Sequence, residues 1–367
     1  MARLSRQEVF APDEVAIVHV SNSVVRECLL LGTDPLTGKN YDHRKRLMEH
    51  LLKRYAASFG IDLLGFAILS NQFHLILRSR PDVVATWKDA EVARRWLLLA
   101  PFRKDIEGNP FEPNETDLRR ILDDRKKVKA TRLRLSDIGW WVRLLCQSLA
   151  IRANQEDQES GRFWQSRFRA ERILDDSTLV ACTAYVDLNP IRAAITDGLE
   201  TSEVTSAQLR IKSHKATAAS RTGAAEKPLQ SETKSGKPAP DRFLAPLWLS
   251  PRQRNGGPVV NRTGDRCSDK GFLPLKQEDY LQLLKWTAKQ LSREQPTRTP
   301  PRCEEILNSL ELNAETWLPL VKKFGKLFCH VAGRPESIKE TRSRIAHRRH
   351  HVRNETRELF AEPDQEQ

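Results

Sequence analysis

The chain contains no run of about 18 consecutive apolar residues, the length a helix needs to cross a bilayer. No membrane-spanning helix is therefore expected. The opening stretch MARLSRQEVFAPDE lacks the apolar core of a secretory leader, so an intracellular setting is the expectation. Its six cysteines, Cys28, Cys146, Cys182, Cys267, Cys303 and Cys329, form no CxxC pair, which argues against a zinc knuckle and a disulfide framework. Acidic residues are in deficit: 48 Asp and Glu stand against 61 Lys and Arg, for a net charge of +13 and a pI near 9.6. A polyanion is thus the first guess for a partner, and charge alone is compatible with DNA, RNA or a membrane surface. At 367 residues the chain has length for two or three domains.

Apolar spacing organises the first half. Residues 15 to 30, VAIVHVSNSVVRECLL, begin as a β-branched alternating run and predict a first strand. From Asp42 to Phe59 the residues Leu47, Leu51, Leu52, Tyr55 and Phe59 recur at three and four, an amphipathic helix ended by Gly60. LLGFAIL and FHLILRS, separated by Ser70 and Asn71, predict a β-hairpin. Residues 83 to 135 are charged and helical in pattern, interrupted around Gly108-Asn109-Pro110, and suit a surface insertion. Ser136 is placed to cap a helix through Asn154. Residues 161 to 174 predict another strand, and Asp175-Asp176-Ser177 starts a helix through Tyr185.

Residues 205 to 275 are rich in Ser, Thr, Lys, Gly and Pro and suggest a flexible linker between a domain over 1 to 204 and a small helical C-terminal module over 276 to 367. The module ends in the basic stretch RSRIAHRRHHVRNETR, which fits either a solvated face or phosphate contact.

Three segments carry chemistry. In SNQFHLIL, strand alternation puts Gln72 and His74 on one face and Phe73, Leu75 and Leu77 on the other. Such a neutral pair suits a divalent cation whose charge a phosphate balances, and equally a hydrogen-bonded strand end. In AYVDLNPIRAAI, Tyr185 and Asn189 lie four apart on one helical face; Pro190 leaves open that Asn189 caps a following helix instead. In GRFWQSRFRA, Arg162, Arg167 and Arg169 interleave with Phe163, Trp164 and Phe168, a mixture that suits single-stranded or hairpin nucleic acid as well as a core strand.

These segments, NQFHL (71 to 75), GRFWQSRF (161 to 168) and YVDLNPIRA (185 to 193), in this order resemble the REP-associated tyrosine transposase branch of the single-tyrosine HUH transposases. The likeness covers roughly residues 10 to 200. It implies an α+β fold, a ferredoxin-like antiparallel sheet with helices on one face. It also implies Tyr185 as the nucleophile and His74, Gln72 and Asn189 around an Mg or Mn ion. Arg162, Trp164, Arg167, Arg169 and Arg192 fall to DNA contact, and the partner implied is a hairpin or single-stranded DNA end. Cleavage through a 5′-phosphotyrosine, a cytoplasmic, nucleoid-associated setting and a monomer or homodimer follow from the same likeness. Two positions depart from the pattern. Gln72 replaces the first histidine, a change of the order of 10 to 100-fold in metal affinity, or about 1.4–2.7 kcal/mol. Ser23 stands where many relatives carry arginine. Two rivals remain: a domesticated, catalytically impaired DNA or RNA hairpin binder, and a metal-dependent nuclease that uses water.

Overall fold

The computed structural model describes residues 9–11, 13–35, 37–193, 195–196, 198–222, 239–292, 298–344 and 352–361. In chain order the first half runs β1 (Ile17–Ser23), α1 (Asp42–Ser58), β2 (Ile61–Ile68), β3 (Gln72–Ser79), α2 (Pro81–Ala85), α3 (Asp89–Leu99), α4 (Glu115–Leu122), α5 (Arg125–Ser136), α6 (Ile138–Asp157), β4 (Arg169–Ile173), α7 (Asp176–Asp187) and α8 (Asn189–Arg192). The second half adds α9 (Ser206–Thr222), α10 (Pro251–Arg254), α11 (Gln277–Leu291), α12 (Pro301–Ser309), α13 (Ala314–Leu327), β5 (Val331–Ala332), α14 (Pro335–Arg344) and α15 (Asn354–Leu359).

The sheet order is β2-β3-β1-β4-β5. The first four strands pair antiparallel, as expected for the ferredoxin-like arrangement, and β5 joins β4 in parallel. Alternation divides the sheet cleanly. Val18, Val20, Phe73, Leu75 and Leu77 share one core with Leu51 and Leu52 of α1 and Leu145 and Leu149 of α6. Ile76 and Ile173 point the other way into a second core with α7, α11, α12 and α13.

Helices therefore cover both faces, which corrects the expectation of helices on one face. The cause lies in the C-terminal half, whose apolar residues Trp317, Leu320, Val321, Phe324 and Leu327 recur at three and four along α13 and are buried against α7. An anchor fixes this layer: Tyr280 donates to Asp187 Oδ2 at 2.6 Å while Ser206 donates to Oδ1 at 2.5 Å.

The stretch expected as a flexible linker, 205 to 275, is packed wherever it is described. Residues 206 to 222 form α9, and Phe243, Leu244, Leu247, Phe272 and Leu273 are buried; residues 223–238 lie outside the described residues. The physical reason is the edge strand. β2 ends the sheet, and exposed edge donors and acceptors need cover. Ala245 N donates to Leu63 O at 2.9 Å, Ile68 N to Val204 O at 3.2 Å, and Phe66 N to Ser206 Oγ at 2.9 Å. Gly271 permits the close approach, since a Cβ there would fall 1.9 Å from Trp248 O. Its few apolar side chains, spaced without period, gave no sign of this role.

Smaller differences concern ends. The helix assigned to a Ser136 cap is α6, capped by Asp137, which accepts from Gly139 N. The strand expected over 161 to 174 is limited to β4, and 161 to 168 form a loop with one bridge, Val24 to Trp164. Of the basic C-terminal stretch, residues 345–351 lie outside the described residues.

Asp62 on β2 is wholly buried and holds Arg78, Arg80 and Ser268 together. Arg78 in turn donates to the carbonyls of Lys270 and Gly271. Asp62→Ala removes the carboxylate shared by two buried guanidinium groups, leaving Arg80 on Asp82 and Arg78 on the two carbonyls, and is expected to lower unfolding free energy by about 1–3 kcal/mol. Chemical denaturation checks this, and protease sensitivity should rise first within 239 to 275; an unchanged midpoint contradicts the docking.

Candidate active site

The site lies on the sheet face covered by the C-terminal helices. His19, Ser21 and Ser23 of β1, Gln72 and His74 of β3, and Arg169 and Glu171 of β4 share that face by strand alternation. They line a cavity of about 810 Å³, closed by Tyr185 and Arg192 and by α13. The volume falls in the range of small-ligand sites.

His19 stands directly across from Glu171, and His74 lies across from Ser21, diagonal to His19. The register produces a buried polar chain over three strands. His19 Nδ1 lies 3.0 Å from Glu171 Oε2, and His19 Nε2 lies 3.0 Å from His74 Nδ1. The imidazoles stack with centroids 5.3 Å apart. A carboxylate only accepts, so His19 donates from Nδ1. Where His19 Nε2 accepts from His74 Nδ1–H, the lone pair of His74 falls on Nε2. That atom is buried and has no hydrogen-bond partner. Burial, helped by His19, Arg192 and Arg169 nearby, holds the His74 imidazole well below its ordinary pKa, hence neutral.

Tyr185 comes from α7, 111 positions beyond His74 in the chain. Its ring meets both imidazoles edge-on, with centroids 5.6 Å from His74 and 5.7 Å from His19. The Arg192 guanidinium lies 4.2 Å over the phenol ring. Burial raises the phenol pKa and the Arg192 cation opposes that rise. On the other side Phe324 packs 5.4 Å from the ring. Gly325 touches the hydroxyl closely, since a Cβ there would lie 3.0 Å from it.

The expected residues thus divide. Tyr185, His74, Gln72, Arg169 and Arg192 meet in one cavity. Asn189 is buried, sits in the first turn of α8 after Leu188 and makes no capping bond. It lies outside the cavity lining, and its Nδ2 is without partner. Arg162 and Arg167 are exposed away from the cavity. Trp164 packs edge-on to Phe73 and Phe163 and donates from Nε1 to Cys146 O at 2.9 Å. It is half-buried against the apolar core.

Two site residues were missed in the sequence, His19 and Glu171. A signal existed for the first: His19, Ser21 and Ser23 alternate with Val18 and Val20, a polar face on a buried strand. Glu171 gave none beyond being the single acid in RAERI.

The donor set available to a cation has two parts. His74 Nε2 is buried and unsatisfied, and the Gln72 amide is on the cavity wall; the unsatisfied atom of Asn189 is its amide nitrogen, a hydrogen-bond donor rather than a metal ligand. Neutral nitrogen and amide donors fit a divalent ion whose charge a phosphate would balance. Among the described residues no group of three or more His, Cys, Asp and Glu side chains is gathered to hold a metal.

No protein-family model matches the chain, and no curated protein matches it. One solved structure similar to it is that of a REP-associated tyrosine transposase bound to a REP hairpin. Identity is 10%, the match covers 65% of this chain and 98% of that one, and the TM-score is 0.33. A likeness of that size carries no argument about function.

His19→Phe removes the acceptor for His74 Nδ1–H. An unsatisfied buried donor costs about 1–3 kcal/mol, so the melting point should fall. Nitrogen-15 NMR should find His74 in a single Nδ1–H tautomer in the parent and a mixture in the variant. A parent already in the Nε2–H form contradicts the chain of hydrogen bonds.

Proposed function

We propose that this chain is a transposase-like protein that binds hairpin or single-stranded DNA ends and cleaves and rejoins them through Tyr185. One observation carries the reading: the Tyr185 phenol and the bare nitrogen side of His74 are delivered from distant segments to the same basic cavity. The motif order NQFHL, GRFWQSRF and YVDLNPIRA supports the same family reading.

In this reading the Tyr185 oxygen attacks phosphorus and the bond to the 3′-oxygen breaks, giving a 5′-phosphotyrosine and a free 3′-OH. One phosphoester replaces another, the phenol proton is lost and the 3′-oxygen gains one, so the strand can be rejoined without external energy. Arg192 holds the ring in place and supplies positive charge where the phosphate arrives. Phe324 and Gly325 pack over the phenol and limit water. Glu171 and His19 keep the proton on His74 Nδ1.

His74 and Gln72 would hold an Mg or Mn ion, which when bound polarises the phosphate and stabilises its developing charge, and Asn189, off the cavity wall here, is the third ligand that the motif resemblance adds.

A second reading, a catalytically impaired hairpin binder, is favoured by Gln72 in place of histidine and by Asn189 lying off the cavity wall. Hairpin DNA with a single-stranded extension, incubated with Mn, separates the two. A covalent adduct in the parent that vanishes in Tyr185→Phe, with affinity nearly unchanged, is the expected outcome. Cutting that survives Tyr185→Phe would point to water as nucleophile, and binding without any adduct would point to the impaired binder. Gln72→His should raise the yield of adduct by roughly 10 to 100-fold at limiting metal; no change would clear Gln72 of any deficit.

A further inference from the structure

The resemblance that suggested a function stops near residue 200, yet the cavity is finished by a much later helix. α13 buries Trp317, Leu320, Val321, Phe324 and Leu327, and its opposite edge carries Lys322, Lys323 and Lys326. Lys326 follows Lys323 by three positions and Lys322 by four, so it neighbours both on the helix surface, and all three lysines line the cavity with Tyr185. They are exposed, and none pairs with a described carboxylate.

A bland role for the lysines is to complement the negative end of their own helix. That end is already served. Of the four carbonyls an α-helix leaves without internal partners, Gly325 O accepts from Arg169 at 3.4 Å, Lys326 O from Arg353, and Leu327 O from the Thr356 hydroxyl at 2.6 Å. Arg192 adds a bond to Lys322 O at 2.8 Å. The capping arginines spend their donors on backbone, and the ammonium groups stay free. Like charges at this spacing oppose one another, so the cluster does not serve the helix. Arg169 and Arg192, which reach the backbone of α13, line the same cavity, and Glu171 is the single carboxylate in the lining, held by His19 and Arg169. The result is a slot between the sheet face and α13, lined by five cations and by the Tyr185 phenol.

We infer that the lysine edge of α13 is the second wall of a single-stranded DNA channel, and that Lys322, Lys323 and Lys326 bind backbone phosphates beside the nucleotide presented to Tyr185. The inference rests on the proposed function and gives the C-terminal half a part in the site. A flexible single strand can enter between the walls, whereas a rigid duplex presents its phosphates on the outside of a wider cylinder.

The experiment compares the full-length chain with Lys322→Ala/Lys323→Ala/Lys326→Ala, titrated with an oligo-dT strand and with a blunt duplex over a salt series. The side chains are exposed, so the melting point should not change. Each lost phosphate contact removes about 0.7 from the slope of log K against log salt on a single strand, so the triple variant should lose roughly 2, with a much smaller change on duplex. An unchanged slope and affinity on oligo-dT overturns the inference while leaving the proposed function standing. An equal loss on both probes also overturns it, because the lysines then act as general backbone attraction. If the parent shows no salt-dependent binding to oligo-dT at all, the proposed function fails first and takes this inference with it.

Discussion

A carboxylate buried under a sheet needs partners, because an unpaired charge in that setting costs several kcal/mol. Glu171 finds them through strand register alone. Its place opposite His19 puts an imidazole N–H on one oxygen, and Arg169 two residues earlier approaches the other at 3.3 Å. From there the contact propagates: His19 Nε2 lies against His74 Nδ1, and His74 Nε2 is left buried without a partner. Partly satisfied polar networks are costly, so the single unsatisfied nitrogen at the end of an otherwise complete chain is the place where a ligand contributes most. A slip of one residue in β1 would turn His19 to the other face and dissolve the chain.

The two faces of the sheet have divided their tasks. The α1 and α6 side is a continuous apolar core containing Trp141, Phe59 and Phe73. The opposite face carries Arg78 at one end and His19, His74 and Glu171 at the other. It is tolerable only because the later half of the chain supplies partners: Lys270, Gly271 and Ser268 for the arginines, and Tyr280 and Ser206 for Asp187. Where that cover stops, between β1, β3 and α13, the cavity remains. The C-terminal half thus stabilises the edge strand and closes the site with one set of contacts, and the segment once expected to be a linker is the strap that brings it there.

Periodicity alone made the elements of the first half legible. Alternation placed Gln72 and His74 opposite Phe73, Leu75 and Leu77, spacing at three and four set α1 close to where it stands, and the Asp175-Asp176-Ser177 start did the same for α7. The separation of Tyr185 and His74 into a helix and a strand was likewise readable. Local signals of this kind need only neighbours within a few residues, and those neighbours are written in the chain order.

Pairings between distant residues were decided by the tertiary structure alone. His19 meets Glu171 across 152 positions and Arg78 meets Gly271 across 193, and neither contact leaves a mark in local composition. The burial of Trp164 and the removal of Asn189 from the cavity wall follow from packing against residues that spacing does not name. The same holds for α13, whose lysines read as a solvated helix edge until the apolar edge opposite them seats on α7 and turns them over Tyr185. Hydrophobic period fixes which face of an element is buried, but what that face is buried against depends on how the chain closes over long loops, and that is settled only when the whole core assembles.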